Sequence, residues 1–194
     1  MRQWMYGAMV ALCLGSTPLA AKEVAGVEIP DASRIAGNDR ELLLNGAGVR
    51  YKFIFKIYIG ALYLPQAQKV AEHAINSPGP KRVLMHFLYD RVEQKDLAQA
   101  WREGFEDNHS AAELAALNPR IETFAGLFTD AVEGDRIWID QLSNGDTRVT
   151  INEVEQGQVK GSDFYPALLK IWLGEDPVTM DLKQAILGYP AEKS

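Results

Sequence analysis

The chain has 194 residues, 24% of them charged and 47% apolar, with a formal net charge of −6. That composition describes a globular domain with a core large enough to need no covalent staple. No basic surplus exists to displace counterions from a nucleic-acid backbone, and the same charge argues against an anionic membrane surface, so neither is expected as a partner.

In chain order, residues 1–21 read as a secretory signal. Arg2 gives a positive start, Tyr6 to Leu14 forms a short apolar run, and Ser16-Thr17-Pro18-Leu19-Ala20-Ala21 ends in small residues. The run is too short to span a bilayer as a stable helix; an uncleaved N-terminal anchor is the alternative. The one cysteine, Cys13, lies inside this segment. The exported domain, residues 22–194, then has no disulfide, thiol nucleophile or cysteine metal site. The expected compartment is the periplasm, with no stable membrane insertion after cleavage.

Glu23 to Ile29 alternates loosely before Pro30, as a short strand does, and Glu41 to Leu44 is apolar ahead of Gly46 and Gly48. Arg50 to Leu64 is dense in β-branched and aromatic residues and reads as one long strand with a bend near Gly60. By parity Tyr51, Phe53, Phe55, Ile57, Ile59, Ala61 and Tyr63 share a core face. Arg50, Lys52, Ile54, Lys56, Tyr58 and Leu62 share a mixed one. Gln66 to Asn76 has helical composition, and Lys81 to Tyr89 is again strand-like. Val92 to Asn108 sets Leu97, Trp101 and Phe105 on one helix face. Ala111 to Leu117 and Pro119 to Phe128 read as two helical pieces interrupted at Asn118-Pro119. Arg136 to Gln141 and Thr147 to Val154 are strands joined at Ser143-Asn144-Gly145-Asp146, and Gly157 marks a further turn. Ser162 to Leu173 is a helix with Phe164, Leu168 and Trp172 on one face, and a last helix runs from Pro177 to about Leu187. Strands, helices, a hairpin and more helices, with no linker between them, make a single α+β domain with antiparallel pairing.

Little chemistry is written in motifs. His73, His86 and His109 are too far apart in sequence to form a ligand pair, and no GxSxG, GxGxxG or Walker loop occurs. No cofactor or metal is expected. Glu103, Glu106 and Asp107 fall on the face opposite Leu97, Trp101 and Phe105, where a solvated stripe belongs. Trp101 and Trp172 read as core anchors that could also line a pocket. Arg50 stands apart: a permanently charged fork of donors at the mouth of an apolar strand, just after two glycines that permit close backbone approach and an unusual turn. It is either a structural ion-pair partner or a handle for an oxygen anion. Tyr58, on the same face by parity, would add a hydroxyl. An arginine and a tyrosine at the rim of an apolar cleft suit a carboxylate or an enolate.

Gly46-Ala47-Gly48-Val49-Arg50, with Ala61-Leu62-Tyr63-Leu64 closing the strand, resembles the N-terminal signature of the chalcone isomerase superfamily. Ala167-Leu168-Leu169-Lys170-Ile171-Trp172-Leu173-Gly174-Glu175, followed by Asp181-Leu182-Lys183, is similar to its C-terminal helix and sequel. With the export signal and the cysteine-free domain, this looks like the bacterial exported chalcone isomerase-like branch. The resemblance implies an open-faced β-sandwich, a large antiparallel sheet under a layer of helices, with the ligand cleft between them. Plant enzymes of the family cyclise a chalcone to a flavanone without a cofactor; other members bind fatty acids without catalysis. Matched residue by residue, the family arginine falls on Arg50 and its strand threonine on Tyr58. Leu97 takes the place of the isomerases' helix tyrosine. The hydroxyl residue of the C-terminal helix falls on Ile171, beside Trp172.

The charge is therefore kept while most of the hydroxyl network that isomerisation needs is replaced. The expected function is non-catalytic binding of a fatty-acid-like or other hydrophobic carboxylate, with Arg50, Tyr58, Ile171 and Trp172 as the ligand-binding residues. A cofactor-independent isomerase, or intramolecular lyase, of chalcone-type enones stays open as an alternative. So does a structural or interaction protein of the envelope with a filled, vestigial cleft. The sequence names no protein partner.

Overall fold

The computed structural model describes residues 21–190 other than residue 39; of the expected signal, all but Ala21 lies outside these residues. The chain opens with a hairpin, β1 (Ala21–Val24) and β2 (Val27–Pro30), turned at Ala25-Gly26, where both φ angles are positive. The short strand expected over Glu23 to Ile29 is thus two. A seven-stranded antiparallel sheet follows, built from β3 (Ala32–Arg34), β4 (Glu41–Lys52), β5 (Phe55–Leu64), β6 (Lys81–Phe87), β9 (Arg136–Gln141), β10 (Thr147–Ile151) and β11 (Val154–Val159). Their spatial order is β11-β10-β9-β6-β5-β4-β3. A two-stranded ribbon pairs β7 (Arg91–Val92) with β8 (Ala131–Val132). The helices are α1 (Ala71–Asn76), α2 (Gln94–Glu106), α3 (Ala111–Ala125), α4 (Phe164–Leu173) and α5 (Met180–Ile186).

The sheet buries both faces unequally. Tyr58, Leu62 and Leu64 of β5, Val83, Met85 and Phe87 of β6 and Ile137 and Ile139 of β9 form the main core with the helices. Their alternates Ile59, Ala61, Tyr63 and Leu84 pack a smaller core with Ile29, Ile35 and Leu42. Period-two alternation sorts these side chains.

Several expected boundaries move: the helix expected from Gln66 begins at Ala71, the last helix, expected from Pro177, begins at Met180, and two strands turn where none was expected, each for a local reason. The long strand from Arg50 to Leu64 is a hairpin: β4 ends at Lys52, and Phe53-Ile54 turn the chain into β5, with Lys52 opposite Phe55. Phe53 adopts φ 56° there, a region normally given to Gly or Asn. The core face assigned by parity therefore fails at its start: Phe53 is 90% exposed, and Tyr51 and Phe55 are also exposed. A register shift beside Arg50 adds Ile57 as an extra residue, so Ile57 and Tyr58 both join the main core. Likewise, Thr147 to Val154 turns at Asn152-Glu153, both at positive φ, while Gly157 sits inside β11 beside a bulge rather than in a turn.

Helix α3 continues through Pro119 instead of breaking. The carbonyl that Pro119 leaves without an amide partner is that of Ala115. Both residues are exposed, so the freed carbonyl is open to solvent, while Leu117, Ile121, Phe124 and Ala125 bury the opposite face. The Ser110–Glu113 capping box secures its start.

Gly46 and Gly48 do not make a turn. They lie within β4 beneath α5. A Cβ on Gly46 would strike the Ala185 carbonyl oxygen and lie 2.8 Å from the Gly188 nitrogen; one on Gly48 would strike Ala185 Cβ. The two glycines seat the last helix directly on the sheet backbone.

Candidate functional site

Beyond the reach of α5, β4 and β5 run toward their turn and separate from the helices. A cavity of about 400 Å³ opens there between the β4–β5–β6 corner of the sheet and helices α2 and α4. Its inner wall is apolar and buried: Ile57, Met85, Phe87, Leu97, Trp101 and Ile171. Its rim is exposed and polar, with Lys52, Asp96, Gln99 and Glu103. Arg50 and Tyr58 line it as well. A deep apolar wall with few polar groups is the usual composition of a small-molecule site.

Arg50 and Tyr58 share a sheet face, as parity required, yet they meet as direct cross-strand partners and not as steps along one strand. The Arg50 guanidinium carbon lies 5.7 Å from the centre of the Tyr58 ring, within cation–π range. Among the described residues Arg50 forms no ion pair, and its Nε is buried without a hydrogen-bond partner. The structural alternative, an arginine locked to a carboxylate, is absent among these residues. Buried donors are nearly always paired, so this one, beside the cavity, is available to an acceptor.

Tyr58 is placed from behind. The Trp172 indole Nε1–H donates to the Tyr58 hydroxyl oxygen at 3.0 Å. An indole nitrogen only donates, so the tyrosine oxygen accepts in this bond and keeps its own proton to give. Burial raises the Tyr58 pKa above its ordinary value, while the Arg50 charge and the Trp172 bond pull the other way; the phenol stays protonated at neutral pH. Arg50 and Tyr58 together form a cationic fork and an O–H donor on one wall of an apolar chamber.

The four expected site residues therefore divide. Arg50, Tyr58 and Ile171 line the cavity. Trp172 stands one layer deeper, fully buried, where it holds the Tyr58 hydroxyl and packs edge-on against Trp101 with ring centres 5.7 Å apart. Trp101 is both a core anchor and cavity wall, and its own Nε1 is buried without a partner. Ile171 is pressed into place by the close crossing of α2, since a Cβ on Gly104 would stand 2.9 Å from Ile171 Cγ2. Leu97 also lines the cavity wall.

Sequence reading missed Phe53 and Phe55 at the mouth, because they were counted into a core face. The signal available was the run Lys52-Phe53-Ile54-Phe55-Lys56, an apolar triplet between two lysines. Glu103, Glu106 and Asp107 are exposed, as a solvated stripe should be. Among the described residues no cluster of His, Cys, Asp and Glu is placed to hold a metal, and no helix is long and apolar enough to cross a membrane.

Comparison with known proteins agrees with this architecture. The crystal structure of a fatty-acid binding protein of Arabidopsis thaliana is similar, with a TM-score of 0.64 and 12% sequence identity over 84% of this chain and 92% of that one. At that identity the likeness concerns the fold: an antiparallel sheet curled under helices, the chalcone isomerase-type open-faced sandwich. Comparison with curated proteins gives no match. The family model described as chalcone isomerase-like matches residues 21–188. That span covers every strand and helix described above, and the chain belongs to the chalcone isomerase-like family.

Proposed function

We propose that the protein binds a fatty-acid-like or other hydrophobic carboxylate without transforming it, with the acyl chain in the apolar cavity and the head group against Arg50. The observation that carries this reading is the Arg50 side chain: a guanidinium with no anionic partner among the described residues and a buried, unpaired Nε, facing the Tyr58 ring at the wall of a chamber of about 400 Å³. A carboxylate would accept from the guanidinium and from the Tyr58 hydroxyl. That the similar Arabidopsis protein is a fatty-acid binding protein supports the same reading. The alternative, an isomerase of chalcone-type enones, would have to work with Arg50 and Tyr58, since Leu97 and Ile171 offer no hydrogen bond. The filled-cleft alternative is disfavoured by the open volume beside Arg50.

The reading includes export by the N-terminal segment to the periplasm, as a bacterial exported member of the family. Fractionation of expressing cells checks this: a soluble periplasmic product whose N-terminus lies near Lys22 is expected, and a full-length cytosolic product would contradict it. For binding, native mass spectrometry of the purified protein should show co-purified acyl carboxylate. Titration with a long-chain fatty acid should lose affinity about a hundredfold in Arg50→Gln, the scale of a charge-assisted pair. A fatty acid that binds wild type and Arg50→Gln equally would remove the reading.

A further inference from the structure

We infer that the β4–β5 hairpin tip is a membrane-docking element, which seats the cavity mouth on a bilayer carrying anionic head groups. Its purpose rests on the reading of the cavity as a site for a hydrophobic carboxylate; the docking itself rests on the tip.

At the tip Phe53 is 90% and Ile54 85% exposed, with Tyr51 and Phe55 about half exposed beside them. Four large apolar side chains in five consecutive positions are what a soluble surface avoids. Phe53 also takes a left-handed φ that Gly or Asn would take at less cost, so the ring is not there to make the turn. Charge surrounds it: from residue 50 to residue 56 the chain has three basic residues and no acidic one. The net charge of −6 is an average: around the cavity Arg50, Lys52 and Arg91 outnumber Asp96 and Glu103, and both lysines of the tip lie on its basic side. Lys52 and Lys56 are exposed and form no ion pair among the described residues.

Apolar side chains ringed by lysines match the layering of a bilayer surface, where rings and aliphatic groups enter the acyl boundary and ammonium groups stay among anionic heads. A second copy or a protein partner fits less well. A stable protein interface needs roughly 800 Å² from each side, and a two-residue turn projecting from the sheet offers a convex point. The location gives the occupant a purpose, because Lys52, Phe53 and Phe55 of this tip also line the cavity mouth. A bilayer docked there would lie against the opening through which an acyl chain enters or leaves.

The test is co-sedimentation of the full chain with vesicles of phosphatidylethanolamine and phosphatidylglycerol, and with vesicles of phosphatidylcholine alone. Wild type is compared with Ile54→Asp and Lys56→Glu, two positions outside the cavity wall. Ile54→Asp should weaken partitioning onto both vesicle types by about tenfold or more, the worth of one buried large aliphatic side chain. Lys56→Glu should weaken it by roughly tenfold on the anionic vesicles alone. Both variants should bind a soluble fatty acid as wild type does, and Arg50→Gln should still dock, so loss of ligand and loss of docking are read separately. Equal partitioning of wild type and Ile54→Asp would overturn the proposal. So would a wild-type dimer in free solution that Ile54→Asp converts to monomer, with no vesicle-bound fraction.

Discussion

At the scale of single residues, the site depends on which partner each donor lacks. Trp172 and Tyr58 are coupled through one buried hydrogen bond of 3.0 Å. Tyr58→Phe removes the acceptor and strands a buried indole N–H, costing about 1–3 kcal/mol of stability, and it removes one donor to the head group, so affinity for a fatty acid should fall about tenfold. Trp172→Phe should cost less stability in the Tyr58→Phe background than in wild type, and restore none of the affinity. Denaturant unfolding and ligand titration of the two singles and the double measure this. Losses that simply add in the double variant would show that the bond does not carry the coupling. Lys81 gives a second residue-scale expectation. Its ammonium is buried at the base of β6, bonded to Gln141 Oε1 at 2.8 Å, and burial lowers its pKa to about 8. The folded chain then sheds this proton above about pH 8, while the unfolded chain holds it to about 10.5. The unfolded state binds more protons in that window, so stability contributed by this residue rises with pH across it. Lys81→Met should lack that rise: the wild type should gain on the variant between pH 8 and 10 in thermal unfolding. A constant difference would contradict the assignment.

At the scale of elements, the glycines and the hairpin show how much was legible. The cluster Gly46-Ala47-Gly48 announced close backbone approach, and α5 makes it. The sequence could not say which element approaches, because Ala185 is well over a hundred residues away. Gly48→Ala should destabilise the fold by about 2–3 kcal/mol through overpacking on Ala185, and Ala185→Gly should rescue part of that loss; calorimetry of the pair decides. Parity set Arg50 and Tyr58 on one face. It did so for a strand that is in fact a hairpin, because the turn uses Phe53-Ile54 and neither residue signals a turn. Phe53→Asn should therefore stabilise the protein by about 1 kcal/mol, since Asn tolerates φ 56°. Unchanged or lower stability would mean the exposed ring contributes to the fold itself. Asn152-Glu153 was a readable turn that was passed over, since Asn152 tolerates its φ of 46°. Helix α3 was missed in the opposite sense: proline chemistry favours a break, and only knowledge of which face meets water shows why Pro119 is tolerated.

At the scale of the molecule, the fold is an antiparallel sheet on which α5 packs against β4 and β5 and α3 against β11, with one corner left open. The order of strands and helices made the α+β class readable, since alternation and helix periodicity are local. The cavity was not readable in the same way, because it is a place where packing stops. Its wall gathers β5, β6, α2 and α4, and no window of sequence contains them. Family resemblance supplied what local pattern could not, the pairing of Arg50 with Ile171 across more than half the chain. A carboxylate site at Arg50 must distinguish two ligands that share a chain and differ in charge. Isothermal titration of the protein with a long-chain fatty acid and with the corresponding alcohol, in wild type and in Arg50→Gln, measures the difference. The account predicts that wild type prefers the acid by about a hundredfold and that Arg50→Gln binds acid and alcohol alike. Equal affinity of wild type for the two, or a preference for the acid that survives Arg50→Gln, would contradict it.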